Sequence, residues 1–124
     1  MTKKILLSAS ILGALGVIIG AFGAHGLKSL LLENGKLDTF ETAVKYHFYH
    51  SFALMALALI HDRFHLKNSN AIFLFYLSGI LVFSGSLYIL CLTNVGFWGA
   101  ITPIGGVLLI GGWLLLFWNI FKLD

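Results

Sequence analysis

The chain has 124 residues, of which 59% are hydrophobic and 10% charged, with a net charge of +3 and a mean hydropathy of +0.95. That length allows a single domain, and that apolarity excludes disorder and an ordinary soluble core, where about half the residues are apolar. The eight Lys and Arg are scattered and form no basic stripe, so the positive balance does not point to nucleic acid; the expected partner is the lipid bilayer.

Four runs approach or exceed the ~20 apolar residues that cross a bilayer, at positions 5–24, 43–60, 71–92 and 97–121. The expectation is an all-α integral membrane protein. Its four transmembrane helices, 3–25, 38–61, 70–92 and 98–122, form a compact glycine-rich bundle within one domain, 1–124.

The first apolar run follows the sequence MTKK. It is longer than the roughly 7–15 apolar residues of a cleaved signal peptide, so it reads as a retained signal anchor. Gly26 is placed to end it in a left-handed conformation. Residues 27–32 are apolar between Lys28 and Glu33, a pattern suited to the membrane interface, and Asn34-Gly35 signals a turn. Asp38 or Thr39 caps the second helix, and Glu41 stands one turn before Lys45 as mild support. This helix is amphipathic in its first turns and apolar in its second half. The polar link HDRFHLKNSN leads to the third helix, and TNVG joins the third to the fourth. The lone Cys91 excludes an internal disulfide and, in an apolar run, reads as an inert buried thiol.

With four spans, both termini and the middle link share a side. That side carries five Lys and Arg (Lys3, Lys4, Arg63, Lys67, Lys122) against three on the other (Lys28, Lys36, Lys45). The excess predicts a multi-pass cell-membrane protein with both termini cytoplasmic.

Glycines recur on the first helix at Gly13, Gly16, Gly20 and Gly23, and on the fourth at Gly105 and Gly106, just after Pro103. Small residues at this spacing let helices approach closely where lipid supplies no hydrophobic drive. Close packing within the bundle is the expected use, with a homo-oligomer as the alternative use of the same faces.

The polar residues inside the apolar runs carry most of the functional information, because lipid penalises them. At ~1.5 Å of rise per residue, His50 falls roughly 16 Å above His61, in the outer half of the bilayer. His25, His47, Ser84, Ser86, Tyr88, Thr102 and the Gly99 carbonyl freed by Pro103 fall in the same slab. This layer is the candidate polar or ligand site. Its plainest reading is helix-tying, each imidazole bonded to a neighbouring hydroxyl or carbonyl. His25 and His50 are expected to share one site. The sharper reading is a binding protein for a metal, haem or small ligand. Zinc wants about four tetrahedral ligands, and at most three histidines with no nearby Cys are on offer here. Neither a metal nor a cofactor is expected. No G-x-S-x-G, P-loop or H-E-x-x-H occurs, and no carboxylate lies inside a span, so no catalytic residue is assigned and the reading is against an enzyme.

Four ordered motifs, GAFGAHGL (20–27), YHFYHSFALM (46–55), VFSGSLYIL (82–90) and ITPIGGVLLIGGW (101–113), span most of the chain. Together they closely resemble the membrane-protein family catalogued as domain of unknown function 423. The resemblance implies a four-helix membrane protein and no assigned activity. It matches the family pattern at His25, His50, 84–88 and 102–106, whereas the position of His47 varies in that family. The function expected is therefore that of a small membrane protein, structural or accessory, working with itself or a membrane-protein partner.

Overall fold

The computed structural model describes residues 1–123; Asp124, the last residue of the expected domain, lies outside the described residues. The chain folds into α1 (Thr2–Ala24), α2 (Lys28–Glu33), α3 (Leu37–Phe64), α4 (Ser69–Thr93) and α5 (Phe97–Phe121). Among the described residues three helices, α1, α4 and α5, are long and apolar enough to cross a membrane.

The expectation of four transmembrane helices in a compact four-helix bundle is thereby corrected on two counts. The apolar stretch at 27–32 closes a helix of its own, α2, with Leu31 fully buried. And α3, though 28 residues long, carries Asp38, Glu41, Lys45, His47, His50, His61, Asp62 and Arg63 along its length. Those side chains keep it below the apolarity of a span. His47, His50 and Ser51 in its middle are buried in protein at 3–4% exposed, whereas Asp38, Glu41, Lys45, Asp62 and Arg63 stay exposed toward its two ends.

The long helices pack in chain order, α1 on α3, α3 on α4 and α4 on α5. One cluster, including Ile5, Leu54, Leu57, Phe73, Tyr76, Leu109 and Leu116, joins all four. A smaller one, Leu31, Phe40 and Cys91, seats α2 against α3 and α4. The Asn34 side-chain amide donates to the Cys91 carbonyl at 3.0 Å and fixes that seat. Both chain ends lie with the α3–α4 link at one end of the molecule. There the Lys4 ammonium stands 4.9 Å over the Phe73 ring, and residues 64–68 face 118–123 across a groove.

Glycines set the helix spacing. A methyl at Gly16 would meet the Phe48 ring at 3.0 Å, and one at Gly23 would run into the Phe40 ring. Gly105 lies against the backbone of Phe83, and Gly112 against the Tyr76 ring. Gly20 is looser, with only Val44 at 3.5 Å; Gly13 meets nothing within 4 Å, and Gly106 only the Phe83 ring at 3.8 Å. Pro103 sits inside α5 on its exposed side. The tight positions thus lie on the α1–α3 and α4–α5 faces inside the molecule.

Candidate polar site between the helices

His47 and His50 stand one turn apart on α3 and reach different neighbours. His47 Nε2 lies 2.8 Å from the Leu12 carbonyl on α1, and its Nδ1 lies 2.9 Å from the Tyr88 hydroxyl on α4. A carbonyl can only accept, so Nε2 carries the proton and Nδ1 accepts from Tyr88. His50 is wired the other way. Its Nδ1 donates to the Tyr46 carbonyl at 2.8 Å, one turn back on α3, and its Nε2 accepts the Trp113 indole N–H from α5 at 3.0 Å. An indole N–H can only donate, which fixes this second tautomer. The two imidazoles link α3 to α1, α4 and α5.

Hydroxyls add further ties between the helices. Ser84 donates to the Ala43 carbonyl at 2.7 Å, tying α4 to α3. Ser86 and Thr102 share a 2.7 Å hydrogen bond between α4 and α5. Thr102 also lies 3.2 Å from the Trp98 carbonyl, and Ser86 donates within its own helix to Phe83. Ser51 donates back to the His47 carbonyl at 2.8 Å. Aromatic rings wall the layer. Tyr46, Tyr76 and Trp113 have ring centroids 6.2, 5.6 and 6.1 Å from His50.

His25 is elsewhere. It is exposed at the C-cap of α1, thirteen residues beyond Leu12, or about 20 Å along the helix. His50 spends its two nitrogens on Tyr46 and Trp113, so the two histidines do not meet. Of the other expected members, Tyr88 meets His47 and Ser86 meets Thr102, but Thr102 stands eleven residues, about 16 Å, along α5 from Trp113, so the Ser86–Thr102 bond and the Ser84–Ala43 bond are ties separate from the His50–Trp113 bond. Sequence reasoning missed the Leu12, Tyr46 and Ala43 carbonyls, which no residue type marks, and Trp113, which reads as one more aromatic in an apolar run. It also missed that, among the described residues, the buried Tyr76 hydroxyl and His61 Nδ1 have no hydrogen-bond partner.

The chemistry open to this layer is limited. Every ring nitrogen of His47 and His50 is engaged within the chain, so no imidazole lone pair is free for a metal or a substrate proton. A ligand would have to displace Tyr88 or Trp113. Among the described residues no three His, Cys, Asp or Glu side chains are grouped to hold a metal ion.

Residues 19–106 match the family model described as a protein of unknown function, DUF423. A UPF0382 membrane protein of Staphylococcus haemolyticus is 45% identical over 116 residues, covering 90% of this chain and 93% of the relative. UPF0382 membrane protein YwdK of Bacillus subtilis is 40% identical over 116 residues, covering 92% and 93%. UPF0382 inner membrane protein YgdD of Escherichia coli is 34% identical over 122 residues, covering 94% and 88%. No solved structure matches.

Proposed function

The chain belongs to the DUF423 (UPF0382) membrane-protein family, and from that premise we propose that it is a structural or accessory component of the cell membrane whose histidine and hydroxyl layer ties its helices into one domain. The single observation that carries this reading is the closed wiring of His47 and His50: each bonds twice within the chain, and together they reach α1, α4 and α5. In an apolar surround an unbonded imidazole would cost on the order of several kcal/mol. Paired in this way, it costs little and fixes helix register.

Both termini are proposed to be cytoplasmic. Lys3, Lys4, Arg63, Lys67 and Lys122 cluster toward the end where the chain termini meet the α3–α4 link, which supports that orientation by the positive-inside tendency. An accessory role calls for a second copy or another membrane protein. The outward apolar faces of α1 (Leu7, Ile11, Ile18) and α5 (Val107, Leu114, Phe117), each residue more than half exposed, are where it would sit.

The test is protein purified in mild detergent, assayed for metals and by absorption spectroscopy. The helix-tying reading expects no Soret band and no stoichiometric metal, together with a lower unfolding midpoint for His50→Ala. A haem band or one metal per chain, lost in His50→Ala, would replace it with the ligand-binding reading.

A further inference from the structure

We infer that the cleft between α1 and α3, under α2, holds the headgroup of an anionic phospholipid. The cleft has a volume of about 360 Å³; Gly20, Phe40 and Val44 form its floor, and Lys28, Glu41 and Lys45 its rim. The inference depends on the chain lying in a membrane and not on the histidine ties.

Two features specify the occupant. The rim brings together two lysines from different elements, Lys28 on α2 and Lys45 on α3, both exposed. A lysine ammonium is a compact point charge suited to phosphate, and two of them lining one cleft with an apolar floor match a phosphodiester carried on a hydrocarbon chain. Free phosphate would gain nothing from Phe40 and Val44. The second feature is depth. Gly20 lies four residues, about 6 Å, below the end of α1, the level at which headgroups meet acyl chains. Beside the cleft, α2 buries Leu31 and exposes Leu30 and Leu32 at 37% and 57% next to Lys28, the pattern of a short helix lying in the interface. Gly20 leaves the floor open, since an added methyl would touch only Val44 at 3.5 Å. Glu41 is placed to accept hydroxyl hydrogen bonds from a glycerol headgroup while repelling the phosphate, so it tunes affinity and does not supply it.

The experiment uses the full chain, delipidated in mild detergent and titrated with phosphatidylglycerol, phosphatidylcholine or inorganic phosphate. Native mass spectrometry counts bound lipid, and thermal unfolding reports stabilisation. The expected result is one retained phosphatidylglycerol per chain and a midpoint raised by that lipid above the level reached with phosphatidylcholine. Lys28→Gln with Lys45→Gln should weaken phosphatidylglycerol binding about tenfold or more with the lipid-free midpoint unchanged. Gly20→Leu should fill the floor and abolish retention, Glu41→Gln should bind as tightly or more tightly, and Lys36→Gln, outside the cleft, should bind as the unaltered chain does. If the double variant does not fold, the single Lys28→Gln change on exposed α2 carries the test. Equal stabilisation by phosphatidylcholine, an equal effect of inorganic phosphate, unweakened binding in the lysine variants, or a matching loss in Lys36→Gln would each overturn the inference.

Discussion

Two tyrosines on α4 have opposite hydrogen-bonding fates, and each makes a prediction. The Tyr88 hydroxyl donates to His47 Nδ1 at 2.9 Å. Tyr88→Phe removes that donor and leaves a buried acceptor unsatisfied, so it should lower stability by about 1–2 kcal/mol. The Tyr76 hydroxyl is buried without a partner, and Tyr76→Phe removes an unmet polar group, so it should be neutral or stabilising by up to ~1 kcal/mol. Unfolding of both variants in the same detergent checks the pair; equal destabilisation would show that the hydroxyl of Tyr76 finds a partner. These residues also mark how far the sequence can be read. The polar residues were legible because lipid penalises stray imidazoles and hydroxyls, so His47, His50, Ser84, Ser86, Tyr88 and Thr102 stand out, but that they lie at different heights was not. Most of their partners were not, since they are backbone carbonyls (Leu12, Ala43, Tyr46, Phe83 and Trp98) or, at Trp113, an aromatic in a run where one needs no special reason. The expected His25–His50 pairing failed on helix direction: α1 runs on past the layer, so its end carries His25 away from it.

At the scale of elements, the helix pairs are set by where a side chain would collide. At Gly105 an added methyl would lie within 3 Å of Phe83 backbone atoms, which cannot swing aside, whereas at Gly106 the nearest atom is 3.8 Å away on a ring. Gly105→Ala should therefore push α4 and α5 apart and cost about 1–3 kcal/mol. Gly106→Ala should be neutral or stabilising by up to ~1 kcal/mol, because alanine is the better helix former. Thermal unfolding of the two single variants decides it, and equal effects would contradict the packing described here. Glycine spacing marked both faces in the sequence but could not rank their members. Gly13 shares the α1 periodicity and touches nothing within 4 Å, while Gly112 carries a tight contact with Tyr76. The helix count was misread for a related reason: length and apolarity identify a lipid-facing helix well. The expected fourth span rested on the apolar second half of α3, whereas the polar and charged side chains of its first turns and its end hold the helix below the apolarity of a span, and neither measure shows that the six residues of α2 close a helix of their own.

At the scale of the whole molecule, the two chain ends and the α3–α4 link lie together, and their Lys and Arg excess predicts that this end faces the cytoplasm. Labelling with a membrane-impermeant thiol reagent in intact cells checks it through single cysteines at two exposed sites, Lys67→Cys and Glu33→Cys; the native Cys91 is buried. Glu33→Cys should label and Lys67→Cys should not, and the reverse would invert the orientation. Through two imidazoles in opposite tautomers, α3 is tied to α1, α4 and α5. Site-resolved nitrogen NMR of histidine-labelled protein in lipid bilayers near neutral pH tests it most directly. The expected result is a neutral His47 protonated on Nε2 and a neutral His50 protonated on Nδ1, each with its other nitrogen accepting a hydrogen bond, from Tyr88 and Trp113 respectively. A shared tautomer, an imidazolium at His50, or a metal-shifted nitrogen at either ring would contradict it.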